Sequence, residues 1–308
     1  PPPPPPLFFS TLKTANAILS GLVGSEMCIR DRIKDSVSRF VREQYDFDTR
    51  RGIIESADGI SREFWTMFAE LGWLSVPFAE EYGGFGGNVV DIAAVMEEMG
   101  KGIVVEPYAS TVVVFGGLLS ASTNAALKEQ VIPSIIEGDC LGSFAYMEPQ
   151  SRYEMSDVST TATASGDGYI LNGVKTVVAN GGTASKFVVS ARTSGEQFDH
   201  SGVSLFLVDA TESGVDVKAY KMMDGQSAAT LTLTDVAVDQ SQLLNTAGEG
   251  MDLIEGQGME WVYKLFGFAA TDTSLTRVPI LLQASVDLTD RPYRLICEDV
   301  NSDGREDI

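Results

Sequence analysis

The sequence is short of histidine, cysteine and positive charge. Its single histidine, His200, lies in a polar turn between Gln197 and Gly202. One imidazole in a turn gives no material for a His-dependent triad or a His-rich metal cluster, and it reads as a surface side chain. Cys28, Cys140 and Cys297 are far apart and odd in number. That fits neither a disulfide framework nor a thiolate metal site, and it suits a reducing cytoplasm. Lys and Arg number 22 against 43 Asp and Glu, for a net charge of −21. Nucleic acid and anionic membranes both select clustered cations, so neither is an expected partner; the acidity reads as a solubility feature. No apolar run approaches the roughly 20 residues of a membrane span.

What is present is ample for a core: 308 residues, 44% of them apolar. That length suits one large domain or two to three smaller ones. Residues 1–32 differ from the rest, opening on a proline homopolymer (Pro1 to Pro6) and running through a weakly apolar stretch. The charged start of a signal peptide is missing. Leu22 to Arg32, L-V-G-S-E-M-C-I-R-D-R, resembles a translated sequencing-library adapter. Residues 1–32 are therefore set aside as a non-native leader, disordered or arbitrarily helical.

From residue 33 to 138 the apolar period is helical. Phe64, Met67, Phe68 and Leu71 form one stripe, with Ser61 as N-cap and Gly72 as stop. Ile92, Val95, Met96 and Met99 repeat it behind the N-cap Asn88, with Asp91 in the first turn and Gly100 as stop. A third helix is expected after Pro107, and a fourth from Asn124 that Pro133 should kink. Four glycines close together in Pro77 to Gly87 could cradle a phosphate. The acidic pair Glu80-Glu81 and the missing G-K-[ST] favour a tight turn between helices.

From residue 139 to 245 the period changes to two. Strands are expected at 142–147, 158–164, 169–171, 175–178, 187–191, 204–208, 215–219 and 229–238, and Asn172-Gly173 reads as a hairpin turn. A run of short strands after a run of helices is α+β: an N-terminal all-helical domain followed by an antiparallel β-barrel or sandwich. Beyond residue 245 the text changes again. Its end carries Asp299, Asn301, Asp303 and Asp307 as D-x-N-x-D-G-x-x-D, a spacing of oxygen ligands that suits calcium. It resembles the calcium loops of secreted repeat domains, while a solvated acidic tail explains it equally.

The ordered set E-P, S-D-V, T-T-A, G-Y-I-L-N-G-x-K, A-N-G-G and V-V-x-A-R resembles the middle domain of the acyl-CoA dehydrogenase family. The form E-P-Q-S-R-Y, with Val105-Glu106-Pro107-Tyr108 upstream, is similar to the pimeloyl-CoA dehydrogenase small-subunit branch. The resemblance covers about residues 33–255. It implies a family N-terminal domain at 33–138, a middle β domain at 139–245, and a C-terminal helical domain missing or replaced by a truncated or chimeric tail at 246–308.

The implied chemistry is FAD-dependent α,β-dehydrogenation of an acyl-CoA thioester, as in fatty acid β-oxidation. Electron-transfer flavoprotein would be the acceptor, and the assembly a homo-oligomer or a hetero-oligomer with a large subunit. The resemblance puts Phe144, Tyr146, Met147, Val177 and Ala179 against the flavin, and either Ser151 or Ser156 on its pyrophosphate side. Met147 and Ala179 stand where the family has Thr, and Val177 where it has an aromatic. Arg152 and Tyr153 read either as an exposed loop pair or as a clamp on a carboxylate or CoA phosphate, such as the distal carboxylate of pimeloyl-CoA. Glu148 more readily holds the E-P turn than acts as a base. No catalytic residue is assigned, because the family's Glu base belongs to the C-terminal domain, and the chain alone is expected to be inactive. Two alternatives stay open: a non-catalytic small subunit, and a calcium-binding module in the tail.

Overall fold

The computed structural model describes residues 26–151 and 154–255. Arg152, Tyr153 and the tail residues Asp299, Asn301, Asp303 and Asp307 lie outside them. The first helix spans Glu26–Gln44, starting ahead of the boundary expected at residue 33. Arg30, assigned to the leader by sequence, pairs with Asp91 at 2.7 Å. That partner is fixed by a capping box: Asp91 accepts the Asn88 N–H at 2.8 Å, while Asn88 caps the Val89–Gly102 helix. This helix runs on past Gly100 to Gly102, and Ile103 takes the left-handed C-cap at φ 51°.

Ser61 starts the Arg62–Glu70 helix by accepting the Phe64 N–H at 3.2 Å, as its sequence suggests. The buried face differs from the expected stripe. Trp65 and Phe68 are its buried residues, whereas Leu71 caps the C-terminus and is half exposed.

The Pro77–Gly87 segment is a tight turn. Gly84, Phe85, Gly86 and Gly87 donate their amides to Ala79, Ser75, Phe78 and Val76 carbonyls at 2.7–3.0 Å. No amide of this set is left for a phosphate. A Cβ on Gly84 would sit 2.0 Å from the Phe78 carbonyl oxygen, so the close approach requires glycine. After Pro107 a π-helix (Tyr108–Phe115) leads into an α-helix, Gly116–Ala121. The Ala125–Ile136 helix continues through Pro133.

Seven strands follow: β1 Gly142–Ala145, β2 Thr161–Ser165, β3 Gly168–Ala179, β4 Lys186–Arg192, β5 Val203–Asp209, β6 Val215–Lys221 and β7 Ser227–Asp239. They form one curled sheet in the order β1-β4-β2-β3-β7-β6, with β5 paired to β4. The sheet is mixed rather than antiparallel throughout. β1 runs parallel to β4, and β2 meets β4 in parallel at Thr161 and Arg192.

The hairpin turn expected at Asn172-Gly173 is instead a bulge inside β3. Asn172 and Asp235 explain it: each side chain bonds the other residue, at 3.0 Å and 2.9 Å, and holds the bulged segment against β7. The β2–β3 turn falls at Gly166, whose φ is 59°.

Alternation then sorts the side chains. Phe187, Val189, Phe206 and Val208 fill the inside of the curl, while Val188, Leu205 and Leu207 join the core of the helices. A short helix, Gly250–Glu255, closes the described chain.

Candidate functional site

The E-P turn and the centre of β3 are bolted together by a buried ion pair. Lys175 Nζ lies 2.7 Å from Glu148 Oε1, with both side chains sealed from solvent. Lys175 also donates to Ser190 Oγ at 3.0 Å and to the Tyr146 carbonyl at 3.3 Å. Glu148 accepts the Ser159 and Thr160 amides at 2.8 Å and 3.0 Å, and Gln150 Nε2 at 2.8 Å. Burial pushes the Glu148 carboxyl up, but Lys175 and these donors outweigh it and hold it down at about 2. Burial draws the Lys175 ammonium down to about 8, with Glu148 opposing the fall. A carboxylate so fully engaged is a structural anchor, not a general base.

That anchor sets what lies beside it. The Thr176 N–H donates to the Met147 carbonyl at 2.8 Å, and Ser143 Oγ to the Ala179 carbonyl at 2.7 Å. The structure thus brings the ends of β1 and β3 side by side. Tyr146 and Met147 are half-buried, and Val177 and Ala179 exposed, so an apolar wall faces outward. Phe144 is buried beneath it, its ring stacked on Tyr146 at 5.0 Å. Such a wall fits a planar, largely apolar ring. Val177 itself sits at φ 51° in a second bulge of β3.

Ser151 and Ser156 are both buried, and each hydroxyl is bonded within the loop. Ser151 Oγ accepts the Glu148 N–H at 2.9 Å, and Ser156 Oγ donates to Glu154 at 2.7 Å. Behind Ser156 stands Arg192. It donates to the carbonyls of Ser156, Val158, Gln197, Asp199 and Ser201 at 2.8–3.4 Å, lacing two loops to the sheet.

Lys175 and Arg192 were both visible as the K and R of the motifs G-x-K and x-A-R. Nothing in their neighbours marks them as buried, since long cations are ordinarily read as surface.

Other sequence candidates fall away from this wall. His200 is half exposed and pairs with Glu255 at 2.8 Å. Cys140 is buried and free, its thiol pushed up by burial. Among the described residues no cluster of His, Cys, Asp or Glu is placed to hold a metal. A cavity of about 660 Å³ lies elsewhere, between the Pro77 and Gly87 turn, the Gly116–Ala121 helix and the Gly250–Glu255 helix.

A helical domain against a curled sheet, with the sheet's outward wall at β1 and β3, is the acyl-CoA dehydrogenase fold. Sequence comparison gives the same class. Residues 30–139 match the acyl-CoA dehydrogenase N-terminal domain, and residues 143–236 match the acyl-CoA dehydrogenase middle domain. The chain belongs to the acyl-CoA dehydrogenase family.

It is 32% identical over 229 residues to the long-chain specific mitochondrial acyl-CoA dehydrogenase of Rattus norvegicus, covering 71% of this chain and 52% of the relative. With an acyl-CoA dehydrogenase of Bacillus subtilis it shares 29% identity, covering 65% of this chain and 54% of that one. The chain thus spans about half the length of the curated relatives it matches.

Among solved structures, one described as the electron transferring flavoprotein of Acidaminococcus fermentans superposes with a TM-score of 0.68 at 27% identity, over 77% of this chain and 62% of that one. The FAD complex of PigA gives 0.69 at 21% identity, over 90% of this chain and 69% of that one, a likeness of fold alone.

Proposed function

We propose that this chain serves as a subunit of an FAD-dependent acyl-CoA dehydrogenase, acting on the α,β bond of an acyl-CoA thioester. The observation that carries this reading is the wall at the ends of β1 and β3, fixed from behind by Lys175 and Glu148. FAD, when bound, supplies the acceptor for the hydride leaving the β-carbon. This chain's part is to seat the ring on Tyr146, Met147, Val177 and Ala179, and to hold the 156–158 loop near it through Arg192. The carboxylate that takes the α-proton is assigned to none of the described residues. The setting is cytoplasmic, with electron-transfer flavoprotein as acceptor and further subunits completing the site.

A second reading has its own support. Met147, Val177 and Ala179 lack the hydroxyls and aromatic ring that the family resemblance leads one to expect, which favours a small subunit whose partner carries the flavin. Flavin absorbance of the chain co-purified with its partner, counted per subunit, separates the two. One flavin on this subunit is expected; a colourless subunit beside a yellow partner would overturn the first reading.

The substrate proposed is a dicarboxylyl-CoA such as pimeloyl-CoA, with Arg152 and Tyr153 at its distal carboxylate. Arg152→Ala then weakens binding by about 1.5–3 kcal/mol, the range for hydrogen bonds to charged groups. Arg152→Lys fails to restore it, because lysine lacks the planar fork. A monocarboxylyl-CoA of equal chain length is spared. Titration of both ligands checks this: equal losses would move Arg152 to the CoA phosphate, and no loss would leave it a surface residue.

A further inference from the structure

Two consecutive residues of β3, Thr176 and Val177, have no partner in the ladder with β7, whose register jumps between Lys175 and Val178. Every backbone amide needs an acceptor, so both N–H groups can be traced. That of Thr176 goes to the Met147 carbonyl at 2.8 Å. That of Val177 goes to the hydroxyl of Tyr220 on β6, at 3.1 Å. Val177 is held at φ 51°, a left-handed conformation that a β-branched residue resists. It is also exposed, at 43%, so burial does little to impose that shape.

Tyr220 reaches it across a strand. The register places Tyr220 opposite Ala228, and Ala228 opposite Ala179, so these three lie in one row on the same face. A methyl group at Ala228 leaves room for the phenol ring to cross β7. The ring remains 39% exposed. Tyr220 is therefore placed neither as a core residue nor as a free surface side chain.

We propose that Tyr220 is a positioning residue for the flavin wall: its hydroxyl locks the Val177 bulge in the left-handed conformation and so sets the backbone edge presented to the ring. The flavin half of this rests on the function proposed above, and the bulge half does not.

The test uses the chain co-purified with its partner subunits and FAD as the probe, reading hydrogen exchange at the Val177 amide and the FAD dissociation constant. Tyr220→Phe keeps the ring and removes the acceptor. Exchange at Val177 rises about two- to tenfold, the net value of one hydrogen bond, and FAD affinity falls by a similar factor. Glycine adopts positive φ without strain, so the bulge of Val177→Gly stands without the lock. On that background Tyr220→Phe changes FAD affinity by less than about twofold.

Unchanged exchange in Tyr220→Phe overturns the lock. Equal losses of FAD affinity on both backgrounds overturn the coupling to Val177. Absence of FAD binding to the unsubstituted chain refutes the flavin reading and the flavin half together, while the exchange result still decides whether Tyr220 holds the bulge.

Discussion

Replacing Lys175 with Met is expected to remove about 3–5 kcal/mol of stability, a large fraction of the roughly 5–15 kcal/mol that holds a typical domain folded. The cost comes less from the lost attraction than from Glu148, left charged and buried against Gln150 and the 159–160 backbone with its main partner gone. Replacing both, Lys175→Met with Glu148→Gln, is expected to recover part of the loss: no buried charge remains and the one amide oxygen still accepts the Ser159 N–H, while the NH2 is left facing the Thr160 N–H.

Acid gives an independent check. In the unsubstituted chain the folded carboxyl lies near 2, below its unfolded value of about 4.3. It therefore contributes stability above the unfolded value, and that contribution is lost as pH falls through the folded one. Without Lys175 the order reverses. Burial then raises the folded value, and the penalty is present at neutral pH and relieved as the group takes up a proton. The stability gap between the two proteins should narrow from pH 7 to about pH 4. Urea unfolding at both values measures it; a gap that stays constant would show that the cost lies in packing rather than charge.

Arg192→Met is expected to cost roughly 2–6 kcal/mol, because the carbonyls of Ser156 and Val158 are left buried at about 1–3 kcal/mol each. Arg192→Lys should rescue little. Five acceptors are spread around one planar fork, and an ammonium group has only three donors. The damage should be local as well as global. Protease cleavage or hydrogen exchange would show the 156–158 and 197–201 segments opening before the rest of the sheet. Uniform loss across the chain would mean that Arg192 does not lace these loops.

The sequence was most informative where local chemistry is one-valued. Ser61, Asn88 and Asn124 cap the helices that follow them, as small polar residues before apolar runs should. The switch from helical to alternating period marks where the sheet begins. Asn172-Gly173 misled for a reason that lies far away in the chain: Asp235 holds Asn172 in a bulge, and no local reading contains that partner.

The site followed the same division. Motif order singles out Tyr146, Met147, Val177 and Ala179 as candidates, and the structure sets their strands together. The residues that hold them were not found. Lys175 has Val174 and Thr176 as neighbours, and alternation alone cannot say that the covered side of this strand holds a cation and a carboxylate. Tyr220 was invisible because its role depends on a register that spans three strands.

The two faces of β4 and β5 bear on how this protein could be divided. Phe187 and Val189 belong to one apolar cluster, while Val188, Leu205 and Leu207 belong to the other, which they share with Phe115, Leu118 and Ile135 of the helices. The border between the matched segments, near residue 140, is thus a border in the text and not in the core. Recombining it with a relative's helices at that point would pair foreign knobs with native holes along two strands. Expressing the sheet alone would leave half of each strand's apolar side chains in water. The unit that can be exchanged, shortened or grafted is the pair, with Val188, Leu205 and Leu207 travelling alongside the helices they fill.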